Sequence, residues 1–289
     1  MNGIMTRPMT VTDNKMIDCR FANLGSPDRI FAIPSIHGDL NKLHRVHENI
    51  YNQFRAGDRI IYLGNYTGYG HHSRQTIDAL LNFRRFLLCI PGVQPTDITY
   101  LRGTQEEMWQ KLLQIQFAPN PPQILDWMLS QGLAQTMESY GVDLMEAKRV
   151  VYEGVIRLSR WTDSVRQKVY NNPGHDIFGA QLKRAAYTDC AMTQTHGVCS
   201  PMLFVNAGID YTKSLEDQGD CFWWGTPHFK SMHSPYGKYQ RIVRGFDPLS
   251  EGVDVGNITA TLDSNCGRGG DLVFAEIAGS GEILDIRAA

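Results

Sequence analysis

Residues 29–70 read RIFAIPSIHGDLNKLHRVHENIYNQFRAGDRIIYLGNYTGYG, and this stretch decides the fold. A short apolar run, Arg29 to Ile33, stops at Pro34. From Asp39 to Phe54 the residues Leu40, Leu43, Val46, Ile50 and Phe54 recur three and four apart, the spacing of one face of a helix. A second apolar run occupies Arg59 to Leu63. Strand, helix and strand in that order describe a βαβ unit. The pattern continues outward with a helix over Ser73 to Leu88 (inner face Ile77, Leu80, Leu81, Leu87), a strand over Ile98 to Leu101, and helix from Gln105 onward. The expectation is an α/β fold with a mainly parallel sheet.

Beyond Glu106 the strand signal fades until about Cys190. Pro121-Pro122, Gly132, Gly141 and Asn171-Asn172-Pro173-Gly174 divide this region into amphipathic pieces, one of them Leu144 to Trp161. It reads as a helical insertion over about 107–195 within one domain of residues 28–289, preceded by a tail over 1–27. Strands resume at Met202 to Val205, Arg241 to Val243, Asn257 to Leu262, Leu272 to Ile277 and Ile283 to Ile286. Short Gly-rich turns join the last three, which suggests an antiparallel meander.

Composition narrows the function classes. A chain of 289 residues can bury a full core without staples. Lys plus Arg number 28 against 30 Asp plus Glu, so the basic excess of a general nucleic-acid binder is absent. The apolar run near Phe86 to Ile90 ends at Pro91-Gly92, far short of a membrane span. Met1 to Lys15 carries no apolar core of a signal peptide. The six cysteines, at 19, 89, 190, 199, 221 and 266, form no Cys-x-x-Cys pair and read as reduced, mostly buried thiols of a cytoplasmic protein.

The turns at the strand ends carry the chemistry. The five turns are Ser35-Ile36-His37-Gly38-Asp39, Gly64-Asn65-Tyr66-Thr67-Gly68-Tyr69-Gly70, Arg102-Gly103-Thr104-Gln105-Glu106, Asn206-Ala207-Gly208-Ile209-Asp210 and Arg244-Gly245-Phe246-Asp247-Pro248. In open α/β sheets the C-terminal strand edge is where ligands bind, and glycine there lets backbone approach closely.

In this order the turns resemble those of the calcineurin-like metallophosphoesterases, and among them the bacterial serine/threonine phosphoprotein phosphatases. That family carries Asp-x-His-Gly, Gly-Asp-x-x-Asp-Arg-Gly, Gly-Asn-His-Glu, a later His-Ala-Gly, and Gly-His-Thr or Gly-His-Asp. The likeness runs from about Ile30 to Ile277. It takes in Trp127, Gly132 and Tyr140-Gly141 of the insertion, Phe222-Trp223-Trp224, and the closing Leu262-Asp263 and Gly267-Arg268-Gly269-Gly270. The resemblance implies layered β-sheets flanked by helices. It also implies two divalent metals that share a carboxylate and an activated water, with a His general acid and a phosphate-orienting Arg.

The sequence departs from that pattern at nearly every one of those positions. Ser35 stands where the first metal Asp belongs, and Asn65 where the bridging Asp belongs. Gly68 and Tyr69 replace the Asp-Arg pair. Thr104 and Gln105 replace the Asn ligand and the general-acid His, and Asn206 and Phe246 the later His ligands. His37 and Glu106 are kept. Two divalent cations need carboxylates to offset their charge, and a lone His does not hold such metals against water. The polar replacements are neutral and able to hydrogen-bond with one another. Facing carboxylates would be costly once metals were lost.

The expectation is therefore a pseudophosphatase with no catalytic residues, no metal and no cofactor. Ser35, His37, Asn65, Tyr69, Thr104, Gln105, Asn206 and Phe246 form its vestigial pocket. Arg102, Arg244 and Arg268 are candidate anion-binding residues. Its role would be to bind a protein partner or a phosphorylated ligand, rather than nucleic acid or membrane. The alternatives are a weakly active metallophosphoesterase and a small-molecule or phosphate-binding module built on the neutral pocket. Asp39 is expected to cap the first helix, His44 and His47 to lie on a solvated or boundary face, His71 and His72 in a loop, and Gly267 to Gly270 in a hairpin turn rather than a phosphate loop. No Gly-x-Ser-x-Gly elbow supports a serine hydrolase.

Overall fold

Apolar alternation along the strands sorts the chain into layers. The computed structural model describes residues 19–190 and 199–288; the first residues of the tail, including Met1 to Lys15, lie outside them. The strands are β1 (Phe21–Asn23), β2 (Arg29–Ile33), β3 (Arg59–Tyr62), β4 (Ile98–Tyr100), β5 (Ala185–Tyr187), β6 (Met202–Val205), β7 (Arg241–Arg244), β8 (Asp254–Val255), β9 (Thr259–Thr261), β10 (Val273–Ala278) and β11 (Ile283–Ala288). They form a five-stranded sheet, β11-β10-β2-β3-β4, and a six-stranded sheet, β1-β5-β6-β7-β9-β8. Successive side chains of a strand point to opposite faces. Ile30, Ala32 and Ile61 thus meet Met202, Phe204 and Val243 between the sheets. Phe31, Ile33, Ile60 and Tyr62 point the other way, onto α1 (Leu40–Tyr51) and α2 (Ser73–Leu88). Leu203, Val205 and Ile242 pack under α9 (Cys221–Trp224).

The parallel core is β2-β3-β4 in one sheet and β6-β7-β9 in the other. Asp39 caps α1, its side chain accepting from Lys42 N–H. The helical insertion consists of α3 (Thr104–Leu112), α4 (Pro121–Met128), α5 (Ala134–Ser139), α6 (Leu144–Val150), α7 (Val155–Tyr170) and α8 (His175–Gln181), with a core of its own. Tyr140 Oη and Asp78 bond the two nitrogens of buried His175, at 2.7 and 3.0 Å, which ties the insertion to α2.

Five sequence expectations need correction. Residues 21–27 are not tail, because β1 is an edge strand paired with β5. The expected helix from Leu144 to Trp161 is two helices, broken at Gly154, whose φ of 86° a helix cannot hold. The expected meander does not form: β9 pairs in parallel with β7 and in a hairpin with β8, while β10 and β11 make a hairpin in the other sheet. Between β9 and β10 the chain crosses from one sheet to the other. His47 is buried, with its Nε2 2.9 Å from Tyr62 Oη and its ring stacked on Phe83 at 3.9 Å; the helical period marks His47 as inward only once the sheet lies beneath it. Finally, Cys190 and Cys199 are disulfide-bonded. The unforeseen β5 runs antiparallel to β6, with Tyr187 opposite Leu203, which brings the two cysteines across from each other. Of the remaining cysteines only Cys266 is buried. Among the described residues no helix is long and apolar enough to cross a membrane.

Candidate functional site

The turns after β2, β3, β4, β6 and β7 converge at one end of the two sheets. Ile36 and His37 N–H both donate to Asn65 O, and Ser35 N–H donates to Gly245 O. His37 and Asn65 hold left-handed backbone, with φ of 52° and 57°. Non-glycine residues seldom adopt it, and such strain persists where the surrounding structure imposes it.

All eight sequence-predicted pocket residues meet here, in two hydrogen-bonded groups and an aromatic cluster. Asn65 Nδ2 donates to Ser35 Oγ at 3.1 Å, Asn65 Oδ1 accepts from Gln105 N–H at 3.0 Å, and Ser35 Oγ donates to Gly245 O. Asn206 Oδ1 accepts from Thr104 N–H at 3.1 Å, its Nδ2 donates to Leu63 O, and Thr104 Oγ1 donates to Trp223 O. The His37 ring meets Tyr69 and Phe246 edge-on, with centroids 5.1 and 5.9 Å away. Burial, with the Arg268 charge adding to it, pushes the His37 imidazole down to about 3. The ring is therefore neutral at physiological pH, and its Nδ1–H donates to Thr67 O at 3.2 Å. Gln105 Nε2 donates to Gln131 O of the insertion, while its buried Oε1 has no partner among the described residues.

Accessibility separates this arrangement from an open cleft. Of the eight residues, all but Tyr69 expose 7% or less of their surface. The crossing between β9 and β10 closes the site: a methyl group on Gly267 would lie 2.4 Å from His37 Cβ. Lys42 Nζ, donating to Gly270 O, pins the crossing to α1. Gly103 is equally confined, since a methyl there would lie 2.3 Å from Asn65 N.

The nearby acids are engaged elsewhere. Glu106 accepts backbone N–H groups from Asn65, Tyr66 and Gly103, each at 2.9 Å. Burial raises its pKa and these donors oppose the rise. Its carboxylate thus binds the β3 turn to the β4 turn, a structural reason for its presence that needs no metal. Glu106→Gln places an amide NH2 against those N–H donors, because both oxygens are in use. A loss of about 2–3 kcal/mol in urea unfolding is expected; an unchanged midpoint would contradict this role. Asp39 caps α1 and pairs with Lys42. Buried Asp247 pairs with Arg244 at 3.0 Å, and Asp263 accepts from the N–H groups of Asp247 and Asn265.

The three candidate anion-binding arginines differ in state. Arg244 is not available: it is buried, bonded to Thr261 Oγ1, and committed to Asp247. Only the folded chain shows this, since the sequence puts Asp247 three residues away but does not show that both side chains are buried together. Arg102 is paired with Glu107 at 3.4 Å. Arg268 is exposed over the Tyr69 ring, 4.5 Å from its centroid and 5.6 Å from that of Phe246, and donates to Tyr69 Oη and Ser250 Oγ. Sequence inspection missed Gln131 and Trp223, which act through their backbone carbonyls, and the clamp of Glu106, whose carboxylate meets backbone N–H groups that leave no side-chain signature.

No family model matches the chain, and no curated protein matches it by sequence. Solved structures do. One, of a protein assigned as a diadenosine tetraphosphatase, is 14% identical with a TM-score of 0.53, covering 93% of this chain and 98% of that one. A serine/threonine phosphatase from Saccharomyces cerevisiae is 13% identical with a TM-score of 0.48, over 93% of this chain and 83% of that one. A metallophosphoesterase from Sphaerobacter thermophilus is 10% identical with a TM-score of 0.43, over 90% and 87%. The chain shares its layered α/β fold with the diadenosine tetraphosphatase structure. At these identities the likeness concerns the fold alone, and function lives in the site.

Proposed function

We propose that this chain is a pseudophosphatase: a metallophosphoesterase-type scaffold whose strand-end site no longer hydrolyses phosphate esters and which acts by binding a partner. The observation that carries this reading is the burial of neutral, mutually bonded side chains at the positions where the resemblance puts metal ligands. Two divalent cations do not fit this donor set. Amides and hydroxyls offer no charge to offset them, Phe246 offers no donor atom, and the nearby carboxylates serve backbone N–H groups and cations of the chain. Among the described residues no group of three or more His, Cys, Asp or Glu side chains is placed to hold a metal ion.

Burial also argues against the neutral pocket as a small-molecule site, because a ligand would have to displace the Gly267 crossing. What this end of the molecule offers to solvent is Arg268, braced on Tyr69 and without a carboxylate partner at ion-pair distance among the described residues. A guanidinium so held suits an anionic group, a phosphorylated side chain included, on a binding partner.

Metal content and p-nitrophenyl phosphate turnover in added manganese, measured on one purified sample, test the proposal. The expected result is neither stoichiometric metal nor turnover. Two equivalents of metal with turnover would overturn it.

A further inference from the structure

An open groove lies away from this site, at the edge of the five-stranded sheet. It measures about 670 Å³, and Leu81, Arg84, Ile98, Tyr100, Ile177 and Lys183 line it. β4 is the last strand of its sheet, and its outer side is bridged only past its C-terminal end, where Lys183 N–H donates to Tyr100 O and Arg102 N–H to Lys183 O. In a parallel ladder alternate residues bond to alternate sides. Leu101 N–H donates to Tyr62 O of β3, so Thr99 also turns toward β3, and the Ile98 C=O and Tyr100 N–H turn outward. An open edge of this kind is a template for another extended segment.

The groove has one sign of charge. Arg84 makes no ion pair among the described residues, and Lys183 Nζ donates only to the Cys19 carbonyl there. Among the described residues no carboxylate lines the groove. Its apolar lining includes Ile177, which is 56% exposed, and half-buried Leu81.

We propose that this groove binds an extended acidic segment of a partner protein as an added strand on β4. Main-chain bonds to Ile98 and Tyr100 would supply affinity, alternate apolar side chains would meet Leu81 and Ile177, and flanking carboxylates would meet Arg84 and Lys183. The proposal goes beyond the inert-site reading, since a chain that hydrolysed phosphate esters would carry the same groove.

Selection of a random octapeptide phage library on the immobilised full chain tests it. Selected peptides should alternate apolar residues and carry Asp or Glu at their flanks. A synthetic copy should slow hydrogen exchange at the Tyr100 amide. The double variant Arg84→Glu, Lys183→Glu should weaken that peptide at least tenfold and turn the selection toward Lys and Arg. If the double variant fails to fold, Ile177→Asp must produce the same tenfold loss. No enrichment, enrichment indifferent to the charge reversal, or a Tyr100 amide already protected in the free chain by its own residues would each overturn the proposal.

Discussion

Asn65→Asp is expected to destabilise the protein by roughly 3 kcal/mol at neutral pH and by far less near about pH 4. Asn65 is fully buried and bonds to Ser35 Oγ and the Gln105 N–H. A protonated carboxyl can mimic that amide, since its O–H replaces one amide N–H. An ionised one cannot, and no cation lies ready to pair with it. The folded-state pKa of the new Asp therefore lies above its unfolded value of about 3.9. The folded state then binds more protons, so the penalty begins as pH rises through the unfolded pKa and grows until the folded pKa is passed. Urea unfolding of both proteins across a pH series measures it, with Asn65→Ala as the control whose deficit should not follow pH. A pH-independent gap would mean that the introduced carboxylate finds a cation or water.

The same argument bears on metal. Asn65→Asp alone should bind no manganese, because one carboxylate does not offset two dehydrated cations. Restoring Ser35→Asp, Asn65→Asp, Thr104→Asn, Asn206→His and Phe246→His together is the least set expected to do so. Metal binding and turnover by the single variant would refute the ligand assignment behind the pseudophosphatase reading.

Arg244→Met should cost about 3–5 kcal/mol. The guanidinium lies over Phe229 at 4.4 Å and bonds to Asp247, Thr261 and the Ala207 carbonyl. Its removal leaves the Asp247 carboxylate in a buried place with Lys230, at 3.6 Å, as its remaining cation. Desolvation lowers the Arg244 pKa and Asp247 opposes that shift, so the pair is sustained by mutual attraction rather than by water. Adding Asp247→Asn to Arg244→Met should recover a large part of the loss, which a double-mutant cycle in urea would read as a coupling energy. Additive losses would mean that the two side chains act independently. Arg244 had the sequence profile of an anion site, a cation beside a glycine at a strand end, yet its anion is the chain's own.

That case illustrates where sequence ran out. The strands from Arg29, Arg59, Ile98, Met202 and Arg241 were legible because each is an apolar run ended by glycine-bearing turns. α2 was legible to the residue from its period. β1 and β5 were not, being three residues long without an apolar run. With β5 unseen, the Cys190–Cys199 bond could not be foreseen either. The turns that carry the eight pocket residues were legible because each follows a strand that could itself be read. Whether they lined an open cleft was not, because that depends on a loop from the far end of the chain.

By itself, then, the sequence determined the order of strands and helices, the glycine-bearing turns that follow five of the strands, and the neutral polar side chains those turns carry. These arise from local periodicity and residue chemistry, which neighbours in the chain already specify. The tertiary structure alone decided that the Gly267 crossing closes the site, that Arg244 is consumed by Asp247, that Glu106 holds two turns together, and that β4 leaves an open, cationic edge. Each of those depends on how the chain is folded, through contact between distant segments for the crossing and the Glu106 clamp and through burial for the Arg244–Asp247 pair three residues apart, and contact settles whether a polar group meets water, a ligand or the protein itself.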